Sequence, residues 1–187
     1  MKKERICEIK KWDESLSRNE ELNLSAIKRG TVCSWRLENV EITMEDLDRM
    51  IETGPNNPKE EQILSYYHAM VSIHQGKYES SKDLFSDFGE VAPPSFQRKE
   101  PLIDIPKNVQ QYYQKTKNGP MARLWMEYLL KEADFNFICT ISPETIYAQN
   151  PDNYKEIMNH GDFIEYFLQA VIGAKQLVEL LSIEHHL

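Results

Sequence analysis

Apolar residues recur along most of this chain at helical spacing. The clearest stretch is Asn57 to Phe88. Ile63, Tyr66, Tyr67, Met70, Val71 and His74 fall at i, i+3, i+4, i+7, i+8 and i+11, which is one helical face. Asn57 suits an N-cap, Pro58 the first helical position, and Glu60 and Glu61 the positive end of the dipole. Gly76 ends the helix, because a left-handed residue costs least without a Cβ. Tyr78, Leu84, Phe85 and Phe88 then supply the apolar side of a second helix.

The same pattern extends to either side. Residues 4–16 predict a short helix with Ile6, Ile9 and Leu16 inward. R-N-E-E-L-N reads as a polar break. Leu24, Ile27, Cys33 and Trp35 predict a second helix over 24–37, weakened by Gly30. Thr43 and Asp46 have capping-box spacing, and Ile42 can staple to Leu47. Met44, Leu47, Met50 and Ile51 continue that helix until Thr53-Gly54-Pro55 stops it.

Pro93, Pro94, Pro101 and Pro106 predict an irregular stretch over about 89–107, partly docked through its apolar residues. A short helix from Val109 follows. Gly119-Pro120 opens another with Met121, Leu124, Trp125, Tyr128 and Leu129 on one face. Ser142-Pro143-Glu144 reads as a further start, ending at Asn150-Pro151. From Asp162 to Ser182 the chain is apolar on nearly all sides, which predicts the central helix of a core, with Gly173 admitting a close neighbour. The expected fold is all-α: a stack of about eight to ten helices in one domain over 1–187, its halves (1–88 and 108–187) joined by the 89–107 loop.

The hairpin at 57–93 resembles one tetratricopeptide repeat. Ala69, Gly76, Tyr78, Ser81, Phe85 and Pro93 occupy that family's small, turn and aromatic positions, whereas Ser65, His68 and Ser72 stand in its Trp, Leu and Tyr positions. The resemblance implies antiparallel helical hairpins that bind a peptide or protein.

Charge narrows the function. The 187 residues carry a net −8, unevenly: residues 1–37 hold nine Lys or Arg and six Asp or Glu, residues 38–187 hold 13 and 24. A body at −11 argues against nucleic acid and anionic membrane surfaces and suits a basic protein partner. No apolar run is long enough to span a membrane. The basic N-terminus lacks the apolar region of a secretory signal, and three separated cysteines (Cys7, Cys33, Cys139) suggest reduced thiols in a cytoplasm.

Chemistry is hard to find. His68, His74, His160, His185 and His186 lack metal-site spacing, and the motifs G-x-S-x-G, G-x-x-x-x-G-K-[ST] and G-x-G-x-x-G are missing. Cys139 with a distant His has the residue types of a nucleophile and base, but spacing does not pair them. Only Glu165 and Glu179 sit among apolar neighbours, and they read as the exposed stripe of the last helix. No catalytic residue, metal or cofactor is therefore expected.

What remains is recognition. Glu41, Glu45, Asp48 and Glu52 form one acidic cluster; Glu144 and Asp152 belong to a second, with Tyr147 and Tyr154 as aromatic anchors. In general type, an acidic helical chain without active-site motifs resembles bacterial immunity proteins. These neutralise a cognate toxin domain, often a basic nuclease. That resemblance implies occlusion of the toxin's cationic cleft by an acidic face. The alternative is a tetratricopeptide-like adaptor that holds a peptide in a groove lined by Tyr66, Tyr67 and Tyr78.

Overall fold

The computed structural model describes residues 1–17 and 19–184, with side chains as far as residue 180; His185 and His186 lie outside the described residues. These form ten α-helices, a single 3-10 turn and no strand. In order they are α1 (Lys2–Ser15), α2 (Glu20–Arg36), α3 (Met44–Thr53), α4 (Pro58–His74), α5 (Ser81–Asp87), α6 (Pro101–Thr116), α7 (Gly119–Glu132), the 3-10 helix Phe137–Cys139, α8 (Glu144–Tyr147), α9 (Pro151–His160) and α10 (Phe163–Glu184).

Local capping chemistry decides the starts. Thr43 and Asp46 close a reciprocal capping box on α3. Asn57 accepts from Lys59 and Glu60 above Pro58, and Gly76 turns the chain with φ 67°. The polar break at 18–23 is shorter than expected, because Asn19 caps α2 through the N–H groups of Glu21 and Leu22.

The loop expected over 89–107 spans only 88–100. Pro101 stands at the first helical position of α6, where no N–H is required, and Pro106 is accommodated inside it. Leu102, Ile105, Val109 and Tyr112 turn one buried stripe inward, and Asp104 reaches back to the Glu100 N–H. The shortened loop docks through Phe96 on the Trp125 ring and through Arg98 on the Leu129 carbonyl.

The central helix is α7, not α10. Every residue from Met121 to Leu130 is buried, with α4, α5, α6, α2 and the 3-10 turn around it. Beyond Val178, α10 carries exposed Glu179 and Leu180; its earlier turns pack on α1, α6, α8 and α9. The halves interleave: α1 lies on α10, and α2 on α4, α7 and α8. Of the repeat-like hairpin, α5 is a seven-residue helix leaning on α7, while α4 packs on α2 and α7.

Gly30 shows why α2 tolerates a poor helix former. A Cβ there would meet Ser142 Oγ at 2.7 Å and Ser142 Cβ at 2.9 Å, so glycine lets the 142–147 segment press on α2. No neighbour approaches Gly173 that closely. Gly30→Ala is expected to cost about 1–3 kcal/mol in urea unfolding despite alanine's better helix propensity. A stabilised variant would contradict this packing.

Candidate functional site

A groove of about 1000 Å³ runs along the outer face of α4. Trp35 and Glu38 close it at the end of α2, Tyr78, Asp87 and Glu90 near α5, and Asn118 to Leu124 at the start of α7. Its floor is aromatic: Trp35 meets Tyr66 edge to face at 6.3 Å. Its rim is acidic. Glu61, Asp87 and Glu90 are exposed, and Glu38 is half-buried. Among the described residues, Lys59 is the one Lys or Arg in the lining, and its ammonium lies over the Trp35 ring at 4.5 Å.

Hydrogen bonds stiffen the rim. The Tyr78 hydroxyl donates to Asp87 at 2.9 Å, and burial together with that carboxylate pushes the phenol's pKa up. Asn118 donates to Glu90 at 3.0 Å. Of the three tyrosines expected in a peptide groove, Tyr66 and Tyr78 line this one. Tyr67 does not; its charged neighbours are Lys28 and Asp48.

The acidic positions expected at an interface separate into two groups. Glu41, Glu45, Glu52 and Asp152 are exposed. Asp48 is half-buried and accepts from Lys28 at 2.6 Å. The α9 helix that carries Asp152 reaches the α2–α3 connection through Lys155 and Asn39, 3.2 Å apart. Glu144, Tyr147 and Tyr154 are corrections: all three are buried, so they offer no anchor to a partner. Tyr147 stacks on Tyr154 with centroids 4.8 Å apart and on Tyr166 at 5.6 Å.

Behind the groove lies a buried polar centre. Arg123, 1 % exposed, donates from Nε to Ser34 Oγ at 2.7 Å. Its Nη2 reaches the Ser34 carbonyl at 2.9 Å and Glu38 at 2.8 Å, so the groove wall is tied to the core. Glu144 accepts from the Ser142 hydroxyl. Burial, and then the charge of Glu127, raise its carboxyl to about 7. Glu165 and Glu179, the carboxylates singled out by sequence, are instead ion-paired with Arg5 and Lys175.

The sequence at this centre is M-A-R-L-W-M-E-Y-L-L. Arg123 and Glu127 stand four apart inside an apolar run, where a solvent-facing stripe and a buried polar pair look alike. Among the described residues, no His, Cys, Asp or Glu group of three has metal-site geometry, and no helix is long and apolar enough to cross a membrane. No family model matches this chain, and no curated protein matches it significantly.

Proposed function

We propose that this chain is an immunity protein that acts in a bacterial cytoplasm and neutralises a cognate basic toxin domain, such as a nuclease, by occlusion. One observation carries the reading: an aromatic-floored groove whose rim holds exposed Glu61, Asp87 and Glu90 against Lys59, while Glu38 is paired with Arg123. Converging carboxylates steer a cationic surface into contact. Nothing in this reading requires a catalytic group, a cofactor or nucleic acid.

The test uses the purified chain and its co-encoded basic partner. Glu61 and Glu90 are exposed, so reversing them should leave folding intact. Glu61→Lys with Glu90→Lys is expected to slow association roughly tenfold at low salt, with little effect on dissociation. Surface plasmon resonance across salt reads both rates. Association that ignores salt and the two reversals would sink the proposal.

The adaptor reading keeps one supporting observation, Tyr66 and Tyr78 in the same groove. Tyr78 is the residue to substitute, because Tyr66 is 1 % exposed and its loss would disturb the core. Peptide binding that survives high salt and fails in Tyr78→Ala would favour that reading.

A further inference from the structure

Sequence singles out Cys139 without a partner for it, and the fold supplies one. The Cys139 Sγ lies 3.8 Å from Nδ1 of His74, at the C-terminal end of α4. Nε2 of the same ring lies 2.8 Å from Glu127 Oε1 on α7. Asn23 of α2 presents its side-chain oxygen to Nδ1 at 2.5 Å. Asp13 accepts the N–H groups of Asn136 and Phe137, both at 2.7 Å, and so pins the 3-10 turn that ends in Cys139.

Both nitrogens of His74 therefore face acceptors, and a doubly protonated ring satisfies both. Burial opposes that charge. Cys139 and Glu127 favour it more strongly, and the ring's pKa rises to about 9. The ionisable groups that face the ring are Cys139 and Glu127; α2 contributes the uncharged Asn23. Thiol, imidazolium and carboxylate thus form one chain of contacts, Cys139–His74–Glu127, with the ring held from both sides by Glu127 and Asn23.

We propose that Cys139 is a site of oxidation by hydroperoxides, with the His74 imidazolium as proton donor to the departing oxygen and Glu127 as the positioning residue. The thiol proton leaves to water, because both nitrogens of His74 already carry one. The sulfur then attacks one peroxide oxygen, an S–O bond forms and the O–O bond breaks. Sulfur loses two electrons and the peroxide gains them. The departing oxygen takes a proton from the His74 imidazolium, which regains one from water, and leaves as water or an alcohol, and Cys139 becomes a sulfenic acid. Cys139 keeps 6 % of its surface exposed, so the oxidant has to be small, and hydrogen peroxide is little larger than water.

The experiment exposes the full chain to hydrogen peroxide with a 1,3-dicarbonyl sulfenic-acid trap and locates adducts by mass spectrometry. Exposed Cys7 and half-buried Cys33 are internal references. Cys139 is expected to label about tenfold faster than Cys7, although it is the more buried. Glu127→Gln is expected to slow Cys139 about tenfold and leave Cys7 unchanged. A purely structural role for Glu127 predicts the opposite. A loosened core would speed labelling of Cys139 by the peroxide and by a bulky maleimide alike. Labelling of Cys139 no faster than Cys7 in the parent chain overturns the site, whether or not the variant folds. An undiminished rate in a folded Glu127→Gln chain overturns the relay.

Discussion

Arg123→Ala is expected to unfold at markedly lower urea, with a loss of about 3–5 kcal/mol. The side chain is 1 % exposed and crosses the core from α7 to α2. Its removal does three things at once. Ser34 loses the donor to both its hydroxyl and its carbonyl. Glu38, half-buried at the groove, loses the cation 2.8 Å away. Glu144 loses a positive charge that lowers its pKa, so two buried acids face each other with less compensation. The vacated volume beside the Tyr154 ring adds a cavity. Arg123→Lys keeps the charge but not the fork that serves Ser34 and Glu38 together, so it is expected to recover less than half of the loss. Urea unfolding followed by circular dichroism measures both. A cost below about 1 kcal/mol for the alanine variant would mean that Arg123 is not the tie between α7 and α2.

Glu144→Gln is expected to do the reverse at alkaline pH and stabilise the fold. Burial and the nearby Glu127 raise the Glu144 carboxyl from 4.5 in the open chain to about 7 in the fold. Below pH 4.5 both states hold the proton and nothing is lost. Between 4.5 and 7 the unfolded chain releases it while the fold retains it, so stability falls through that window as pH rises. Above it the loss levels off at about 3 kcal/mol, from 1.36 kcal/mol per unit. Glutamine keeps the shape, and its oxygen can still accept from Ser142. The variant should therefore match the parent near pH 4 and exceed it by about 1–3 kcal/mol at pH 8. His74, raised from 6.5 to about 9, gives both proteins a further decline across that higher window. Only the difference between the two chains reports on Glu144. Parallel stability curves from pH 4 to pH 8 would rule out a buried proton there.

Both predictions concern residues whose surroundings no local pattern reveals. Helical spacing picks out the face of Met121, Leu124, Trp125, Tyr128 and Leu129 and leaves Arg123 and Glu127 off it, because it shows which residues share a face and not what covers it. Glu144, Tyr147 and Tyr154 read as an exposed acidic patch with aromatic anchors. The close pass of α2 over Ser142, made possible at Gly30, and the stacking of α8 against α9 and α10 put them inside. The prolines of α6 misled for a simpler reason: proline breaks a helix interior but suits its first turn, and which position it holds depends on where the helix begins.

The sequence by itself determined the all-helical class, the caps at Thr43 and Asn57, the turn at Gly76 and the acidic body. Each of these rests on interactions within a few residues or on composition alone. Only the tertiary structure decided that α7 is the centre, that Tyr66 and Tyr78 share a groove without Tyr67, and that Cys139 meets His74 and Glu127. Those pairings join residues 12 to 65 positions apart. Burial and desolvation set their chemistry, and both exist only once the helices have packed.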